Sequence, residues 1–235
     1  MKPFYEGQGV RIWHAAFEAV LAAGVIDVQR LALVHADPSY GVRERVRRRS
    51  NRRGLVPSKT PRVAGYAQAH DWPEIEGDDR PCDPSAVLAL GRPTVLWGAQ
   101  NYASRLPDSS AWWCWDKRDG TTSDDNGDVE LAWTNIGRRT RRFGHAWRGL
   151  ARASETGRPH LHPTQKPVAL STWVFEQAGL KRGDRVFVPY MGSGPDIAAA
   201  LGRGLYVDAC DVAEWCCRVA VAERIAGPLF ATSGA

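Results

Sequence analysis

The last third of the chain alternates short apolar runs with longer amphipathic segments. Residues 167–184 carry apolar positions at helical spacing and end in a glycine-containing turn, which predicts a helix. Residues 185–200 predict a strand, a glycine-rich turn and a helix that begins at about Pro195, since proline is favoured in a first helical turn. Another strand and helix follow in LYVDACD and VAEWCCRVAVAERIAG. This alternation predicts an α/β domain with a parallel sheet covered by helices.

The first two thirds of the chain have a looser pattern. Residues 11–23 are alanine-rich with apolar positions at helical spacing, and they predict a helix. Residues 30–36 predict a strand that ends at Asp37, because a residue before proline is disfavoured in the α region. Residues 135–162 are basic and irregular. The pattern also predicts a short helix and three strands, at 84–91, 94–97, 110–120 and 128–133.

Positive charge is concentrated in two places. The net charge of +5 is modest for 235 residues, and 43% hydrophobic residues suffice for a core. One arginine cluster comprises Arg43, Arg45, Arg47, Arg48, Arg49, Arg52 and Arg53. A second comprises Arg138, Arg139, Arg141, Arg142 and Arg148. One such cluster fits a solvated loop equally well, but two favour a nucleic-acid partner.

Several classes of protein are disfavoured by composition. Five cysteines without a Cys-x-x-Cys pair predict reduced core residues rather than a disulfide framework or a zinc site. His160 and His162 are interpreted as ordinary loop residues, so no metal is expected. No apolar run is long enough for a membrane span, and no signal peptide is expected. Four tryptophans in the predicted strands, Trp112, Trp113, Trp115 and Trp133, are interpreted as core residues rather than base-stacking platforms.

Two short stretches carry candidate chemistry. Met-Gly-Ser-Gly after a strand allows a ligand to approach the backbone, and Asp211 is suitably placed for ribose hydroxyls. The alternative is an ordinary strand-to-helix turn. In Asp-Pro-Ser-Tyr, residues 37–40, a carboxylate and a proline carbonyl are two acceptors for an amino group, beside an aromatic ring. Taken alone, this stretch is equally typical of a turn that ends a strand.

The order of three motifs resembles one enzyme family. DPSY, HPTQKP (162–167) and VPYMGSG (188–194) resemble motifs of the DNA amino-methyltransferases, and more closely those of small phage and prophage enzymes of the circularly permuted β class. VLWGAQNY, WWCWDKRDG, VELAWTN and FGHAWRG fit the same pattern, so the resemblance covers about residues 30–225. It implies the S-adenosylmethionine-dependent methyltransferase fold, Rossmann-like, with a mostly parallel seven-stranded sheet and helices on both faces.

The resemblance also implies roles for residues. Asp37 and the Pro38 carbonyl would accept hydrogen bonds from the exocyclic amine of a flipped base, with Ser39 between them and Tyr40, which would stack on the base. Asp37 favours adenine N6 over cytosine N4. S-adenosylmethionine would be held by Thr164, Gln165, Lys166, Pro189, Tyr190, Gly192, Ser193, Gly194, Asp211 and Val212. Phosphates would be contacted by Arg43, Arg45, Arg47, Arg48, Arg49, Arg52, Arg53, Arg138, Arg139, Arg141 and Arg142.

Several positions depart from the family pattern. Ser39 stands where the family has proline, and Val188 and Ala15 stand where it has carboxylates that face the cofactor. Ala213 and Cys216 replace the usual acidic and aromatic partners after Asp211. Three alternatives therefore stay open: an S-adenosylmethionine enzyme, an enzyme with a more negatively charged cofactor derivative, or a catalytically silent DNA-binding relative.

The expected organisation is a single methyltransferase domain over residues 1–235. Residues 41–62 would be a basic mobile loop, and residues 103–160 a variable region for target recognition. Double-stranded DNA is the expected partner, with RNA as an alternative substrate, and a homodimer would fit the family. The expected setting is the cytoplasm of a bacterial host, at the nucleoid, with a phage or prophage origin; neither membrane nor metal is expected.

Overall fold

A nine-stranded mixed sheet forms the centre of the protein. The computed structural model describes residues 1–41, 73, 75–80, 82–120, 127–148 and 151–226. The strands are β1 (Tyr5–Gly7), β2 (Val10–His14), β3 (Leu31–Ala36), β4 (Thr94–Trp97), β5 (Trp112–Asp116), β6 (Val129–Thr134), β7 (Arg141–Gly144), β8 (Trp147–Arg148), β9 (Ala151–Arg152), β10 (Arg185–Val188) and β11 (Tyr206–Asp211). Strands β8 and β9 form a separate hairpin; the sheet order is β1-β2-β11-β10-β3-β4-β6-β5-β7.

Five α-helices accompany the sheet in the described part of the chain. They are α1 (Phe17–Ala22), α2 (Ser85–Leu88), α3 (Val168–Gln177), α4 (Pro195–Arg203) and α5 (Glu214–Val219), and α5 continues as a π-helix over Ala220–Ile225. Short 3-10 turns lie at Val28–Arg30, Ala99–Asn101 and Ala103–Arg105. No helix in these ranges is long and apolar enough to cross a bilayer.

The central five strands run parallel, and the direction in which the chain adds further strands to the sheet reverses between β10 and β3. Strands β2, β11, β10, β3 and β4 pair in parallel, whereas β6 is antiparallel to both β4 and β5. From β10 the chain proceeds through α4 to β11 on one side, whereas from β3 it proceeds to β4 on the other. The carboxyl ends of β3 and β10 thus form the point where α/β sheets bind ligands.

Alternate residues of these strands point to opposite faces of the sheet and are buried there. Leu33 and Val186 pack with α3 and α4, whereas Val34 and Phe187 pack with α1 and α2. Each of these four side chains is fully buried, and burial of a residue of this size is worth about 1.5–3 kcal/mol. Helices therefore cover both faces of the sheet, as predicted.

Most of the predicted elements are confirmed, and three predictions are wrong. Residues 10–14 are strand β2 rather than the start of a helix, because Val10 to His14 pair with Val207 to Asp211; only α1 is helical there. The sheet has nine strands rather than seven, because β1 and β7 extend its edges. Residues 135–162 contain β7, β8 and β9, whose short runs give too weak a periodic signal to predict.

Most of the cysteines and tryptophans agree with their predicted structural roles. All five cysteines are free; Cys210, Cys216 and Cys217 are buried as predicted, whereas Cys82 and Cys114 are half-buried. Trp113, Trp115 and Trp133 are buried in the core, and Trp112 packs against it. Among the described residues no cluster of histidine, cysteine, aspartate or glutamate has the arrangement of a metal site.

Candidate active site

The two motif-bearing strand ends open into one cavity. Its volume is about 590 Å³, and it lies where β3 and β10 end side by side. The cavity is lined by almost all the predicted base- and cofactor-binding residues in one place: Asp37, Pro38, Ser39, Tyr40, Thr164, Gln165, Lys166, Pro189, Tyr190, Gly192, Ser193, Asp211 and Val212. Gly194 does not line it; this residue caps α4 with a φ of 72°.

Lys166 connects the Asp-Pro-Ser-Tyr stretch to the HPTQKP stretch. Its Nζ lies 2.9 Å from Asp37 Oδ1 and 2.7 Å from Oδ2, and 2.9 Å from the Tyr40 hydroxyl. The Lys166 side chain is 11% exposed and that of Asp37 is 26% exposed. A mostly buried ammonium therefore holds the carboxylate that the sequence predicts as the amine acceptor.

Glu130 completes this group and was missed by the sequence analysis. Its Oε1 lies 2.9 Å from Lys166 Nζ and 2.6 Å from the Tyr40 hydroxyl, and its side chain is 9% exposed. Because β6 is antiparallel to β4, its first residues lie at the carboxyl end of the parallel strands. The available signal was a glutamate on the face of β6 shared by Ala132 and Thr134, which are both buried.

The four groups shift one another's pKa. Burial raises the pKa of Asp37, and repulsion by Glu130 adds to this against the attraction of Lys166. Burial opposes ionisation of Glu130 too, but Lys166 and Lys117 outweigh it and lower the pKa of that carboxyl. Burial alone would lower the pKa of Lys166, yet the two carboxylates raise it overall. Lys166 is therefore charged at neutral pH.

Tyr40 is fixed at both ends of its ring. Its hydroxyl contacts Asp37 at 2.5 Å and Glu130 at 2.6 Å, and burial raises its pKa well above 10. A hydroxyl carries one proton, so it donates to one carboxylate at a time. The ring packs against Gly98, whose φ is 68° and where any Cβ would overlap the ring. The aromatic ring is thus placed by a glycine at the end of β4.

The glycine-rich turn and Asp211 form the second half of the cavity. The amides of Gly192 and Ala213 donate to the two Asp211 oxygens at 2.8 and 2.9 Å. Burial raises the pKa of this carboxyl. His162 stacks on Trp215 with centroids 5.1 Å apart, and burial lowers its pKa to about 4, so it is neutral. These rings form a flat wall beside the turn.

A hydrogen-bonded chain lies at the back of the cavity. Trp97 Nε1 donates to His35 Nε2 at 2.8 Å, and His35 Nδ1 lies 2.5 Å from Asp196 Oδ1. All three side chains line the cavity and are buried. Asp196 belongs to the first turn of α4, directly after the glycine-rich turn. None of the three was predicted. His35, for example, lies two residues before Asp37 in the sequence and looks like an ordinary strand residue.

Some predicted positions have mainly structural contacts. The Gln165 amide donates to Glu155 at 2.9 Å and accepts from the Leu161 amide at 2.8 Å. Thr164 contacts His162 Nδ1. Among the departures from the family pattern, Val188 is buried and lies outside the cavity lining, whereas Ala213 and Cys216 line it.

The arginine clusters stay predictions. Arg43, Arg45, Arg47, Arg48, Arg49, Arg52 and Arg53 lie outside the described residues, as does nearly all of the 41–62 loop. Arg138, Arg139 and Arg141 are exposed, and Arg142 is exposed and paired with Asp116 at 2.7 Å. These four do not line the cavity.

Comparison with known proteins gives structural likeness alone. No family model matches the sequence, and no curated protein matches it. The M1.HpyAVI–SAM complex has a TM-score of 0.51 at 14% identity, over 91% of this chain and 98% of that one. The PvuII cytosine-N4-specific DNA methyltransferase has a TM-score of 0.58 at 10% identity, over 93% and 88%. TTHA0409 from Thermus thermophilus has a TM-score of 0.50 at 12% identity, over 92% and 94%. The chain has the fold of S-adenosylmethionine-dependent methyltransferases.

Proposed function

We propose that this protein transfers a methyl group from S-adenosylmethionine to the exocyclic amine of a base in DNA, namely adenine N6. The observation that carries the proposal is the shared cavity. It joins the acceptor side chain Asp37 to the glycine-rich turn after β10. A sulfonium donor at the turn and an amine at Asp37 would meet inside this one space, as an in-line transfer requires.

The residues fit a positively charged cofactor. Among the described residues, two basic side chains line the cavity, Lys166 and Arg80. Seven carboxylates line it as well: Glu18, Asp37, Glu76, Asp78, Asp83, Asp196 and Asp211. Ser193 Oγ is buried without a hydrogen-bond partner in the described part of the chain. This charge balance favours S-adenosylmethionine over a derivative with extra negative charge.

S-adenosylmethionine would supply an electrophilic methyl group, and the protein would orient the amine toward it. The Asp37 carboxylate and the Pro38 carbonyl accept the amine N–H groups, which directs the nitrogen lone pair at the methyl group. The raised pKa of Asp37 makes its Oδ atoms better proton acceptors than those of an ordinary aspartate, so they take the proton that the nitrogen loses. Lys166 keeps this carboxylate in place.

Cytosine N4 is the second candidate base. The PvuII enzyme, whose name states cytosine-N4 specificity, has a TM-score of 0.58 with this chain. Asp37 as the first residue of the tetrad favours adenine instead. The 103–160 region and the two arginine clusters are the proposed DNA-binding parts, since clustered arginines contact phosphates without reading sequence. The proposed setting is the bacterial cytoplasm, and a phage or prophage origin fits the motif order.

The proposal is tested with purified protein, S-adenosylmethionine and DNA lacking methylated bases. Digestion to nucleosides and mass spectrometry should show N6-methyladenine in DNA, with RNA treated in parallel. The Asp37→Asn variant, which keeps the shape but loses the charge, should lose the product. N4-methylcytosine would identify the second base, and methylated RNA a different substrate. Absence of any methylated nucleoside, together with retained DNA binding, would support the silent relative instead.

A further inference from the structure

The Asp196 carboxyl is buried and, among the described residues, forms no ion pair with a lysine or arginine. Its side chain is 9% exposed and lines the cavity. Among the described residues its ion-pair partner is His35. Indole Nε1 of Trp97 can only donate, so His35 Nε2 must accept and Nδ1 must carry the proton. His35 is then a neutral imidazole that orients Asp196 without neutralising it.

A buried carboxylate of this kind needs a cation. The N-terminus of α4 supplies a partial positive charge only. Lys166 is engaged by Asp37 and Glu130. Arg80, the other basic side chain of the described lining, forms no ion pair with Asp196. Isolated buried charges are costly unless they are paired. Since no lysine or arginine among the described residues pairs with Asp196, a cationic group of the ligand would fit this position.

A second observation places a ligand at the same point. Ser193 precedes the α4 cap Gly194 and lines the cavity; it is 1% exposed. Its hydroxyl is buried without a partner in the described chain. A buried hydroxyl without a partner costs free energy, which a ligand donor or acceptor would recover.

We propose that Asp196, oriented by the Trp97–His35 pair, binds the ammonium group of the methionine part of the cofactor. This inference rests on the proposed function. It accounts for Val188: the sequence lacks a carboxylate at the end of β10, and the first turn of α4 provides one eight residues later. The methyl-donor half of the site is then complete, with its carboxylate in a different position.

Calorimetric titration with two ligands tests the inference. S-adenosylhomocysteine is compared with its deaminated analogue, which lacks only the amino group. The wild-type protein should prefer the first by about 10- to 100-fold, the range for a charge-assisted hydrogen bond. Asp196→Asn should reduce this preference to about onefold, and Asp196→Glu should keep much of it. Asp184→Asn, at the amino end of β10, is the control and should leave the preference unchanged.

Several results would overturn the inference. Equal loss of both ligands in Asp196→Asn, with an unchanged melting temperature, would mean that the residue supports the fold of the site only. If that variant does not fold, Asp196→Ser provides a second neutral side chain for the same comparison. Equal affinity of the wild-type protein for both ligands would refute the ammonium contact while leaving the proposed function intact. Failure of the wild-type protein to bind either ligand would count against the proposed function itself.

Discussion

Lys166 contacts three side chains, and each of them has a different role in the proposed catalysis. Asp37 is the proposed amine acceptor, Glu130 shares the ammonium, and Tyr40 bridges the two carboxylates. With one ammonium between two carboxylates, the group has a net negative charge. Each carboxylate is therefore sensitive to loss of the other.

Substitution of Glu130 by glutamine should change Asp37 without touching the substrate. Removal of the Glu130 charge lets Lys166 pair with Asp37 alone, which lowers the pKa of Asp37 and weakens it as an acceptor. We expect kcat to fall about 10- to 100-fold, which is less than the roughly 100- to 10,000-fold contribution of a general base itself, with KM for S-adenosylmethionine nearly unchanged. Steady-state kinetics test this, with Glu176→Gln, on an exposed part of α3, as the control. A change confined to KM would refute this positioning role.

The pH dependence of methyl transfer should report Asp37. Its pKa is raised, so its carboxylate form is lost as the pH falls through a value above the usual value of about 3.9. Activity should therefore decline at higher pH than an ordinary aspartate would give. Lys166→Met removes a charge that lowers this pKa, and the acid limb of kcat should move to still higher pH. An acid limb that stays in place would mean that another group controls it.

The turn between β10 and α4 is the element on which the cofactor half of the proposed site depends. Gly194 has a φ of 72°, and a Cβ there would lie 3.0 Å from that of Ala220. Gly194→Ala should cost about 1–2 kcal/mol for the left-handed backbone, with a further cost for the contact. Gly179 has the same φ of 72° with nothing within 4 Å, so Gly179→Ala isolates the backbone part. Chemical denaturation should show that Gly194→Ala is less stable than Gly179→Ala, and equal losses of stability would contradict the contact. Gly194→Ala should also bind the cofactor more weakly.

The elements near the site differ in how well the sequence predicts them. The segment from β10 to α5 was predicted correctly because its apolar runs have the period of each element and its turns contain glycine. Strand β2 was predicted as helix because alanines follow it directly; only pairing with β11 shows it to be a strand. The local pattern of apolar residues gives no information about which strand a segment pairs with.

The same division applies to the site residues. Asp37 and the glycine turn, which line the cavity, were predicted from motifs that are contiguous in sequence. Lys166 was predicted as a cofactor contact, whereas its Nζ lies beside Asp37 and Glu130. Glu130 and Asp196 were not predicted, because each acquires its role from a neighbour more than 30 residues away, Lys166 and His35 respectively. Contacts across the sheet edge depend on strand order, which single-sequence patterns do not determine.

Charge is divided over the whole molecule between a negative cavity and two arginine-rich segments. The chain has a net charge of +5, although seven carboxylates line the cavity among the described residues. The cavity would attract a cationic cofactor, and the arginines a polyanion. The described arginines of the second cluster, Arg138, Arg139, Arg141 and Arg142, do not line the cavity, so their attraction for a polyanion can be tested separately from cofactor binding.

The salt dependence of DNA binding should therefore identify which cluster contacts phosphate. Each lost phosphate contact reduces the slope of log K against log salt concentration by about 0.9. One triple variant replaces Arg47, Arg48 and Arg49 by serine, and the slope should fall by about 2 to 3 if all three contact DNA. The matched triple variant replaces Arg138, Arg139 and Arg141 by serine. S-adenosylhomocysteine affinity should stay unchanged in both variants, which shows by calorimetry that the cavity is intact. An unchanged slope in both variants would refute the assignment of these arginines to phosphate contacts, whereas a change in one alone assigns the DNA-binding face to that segment.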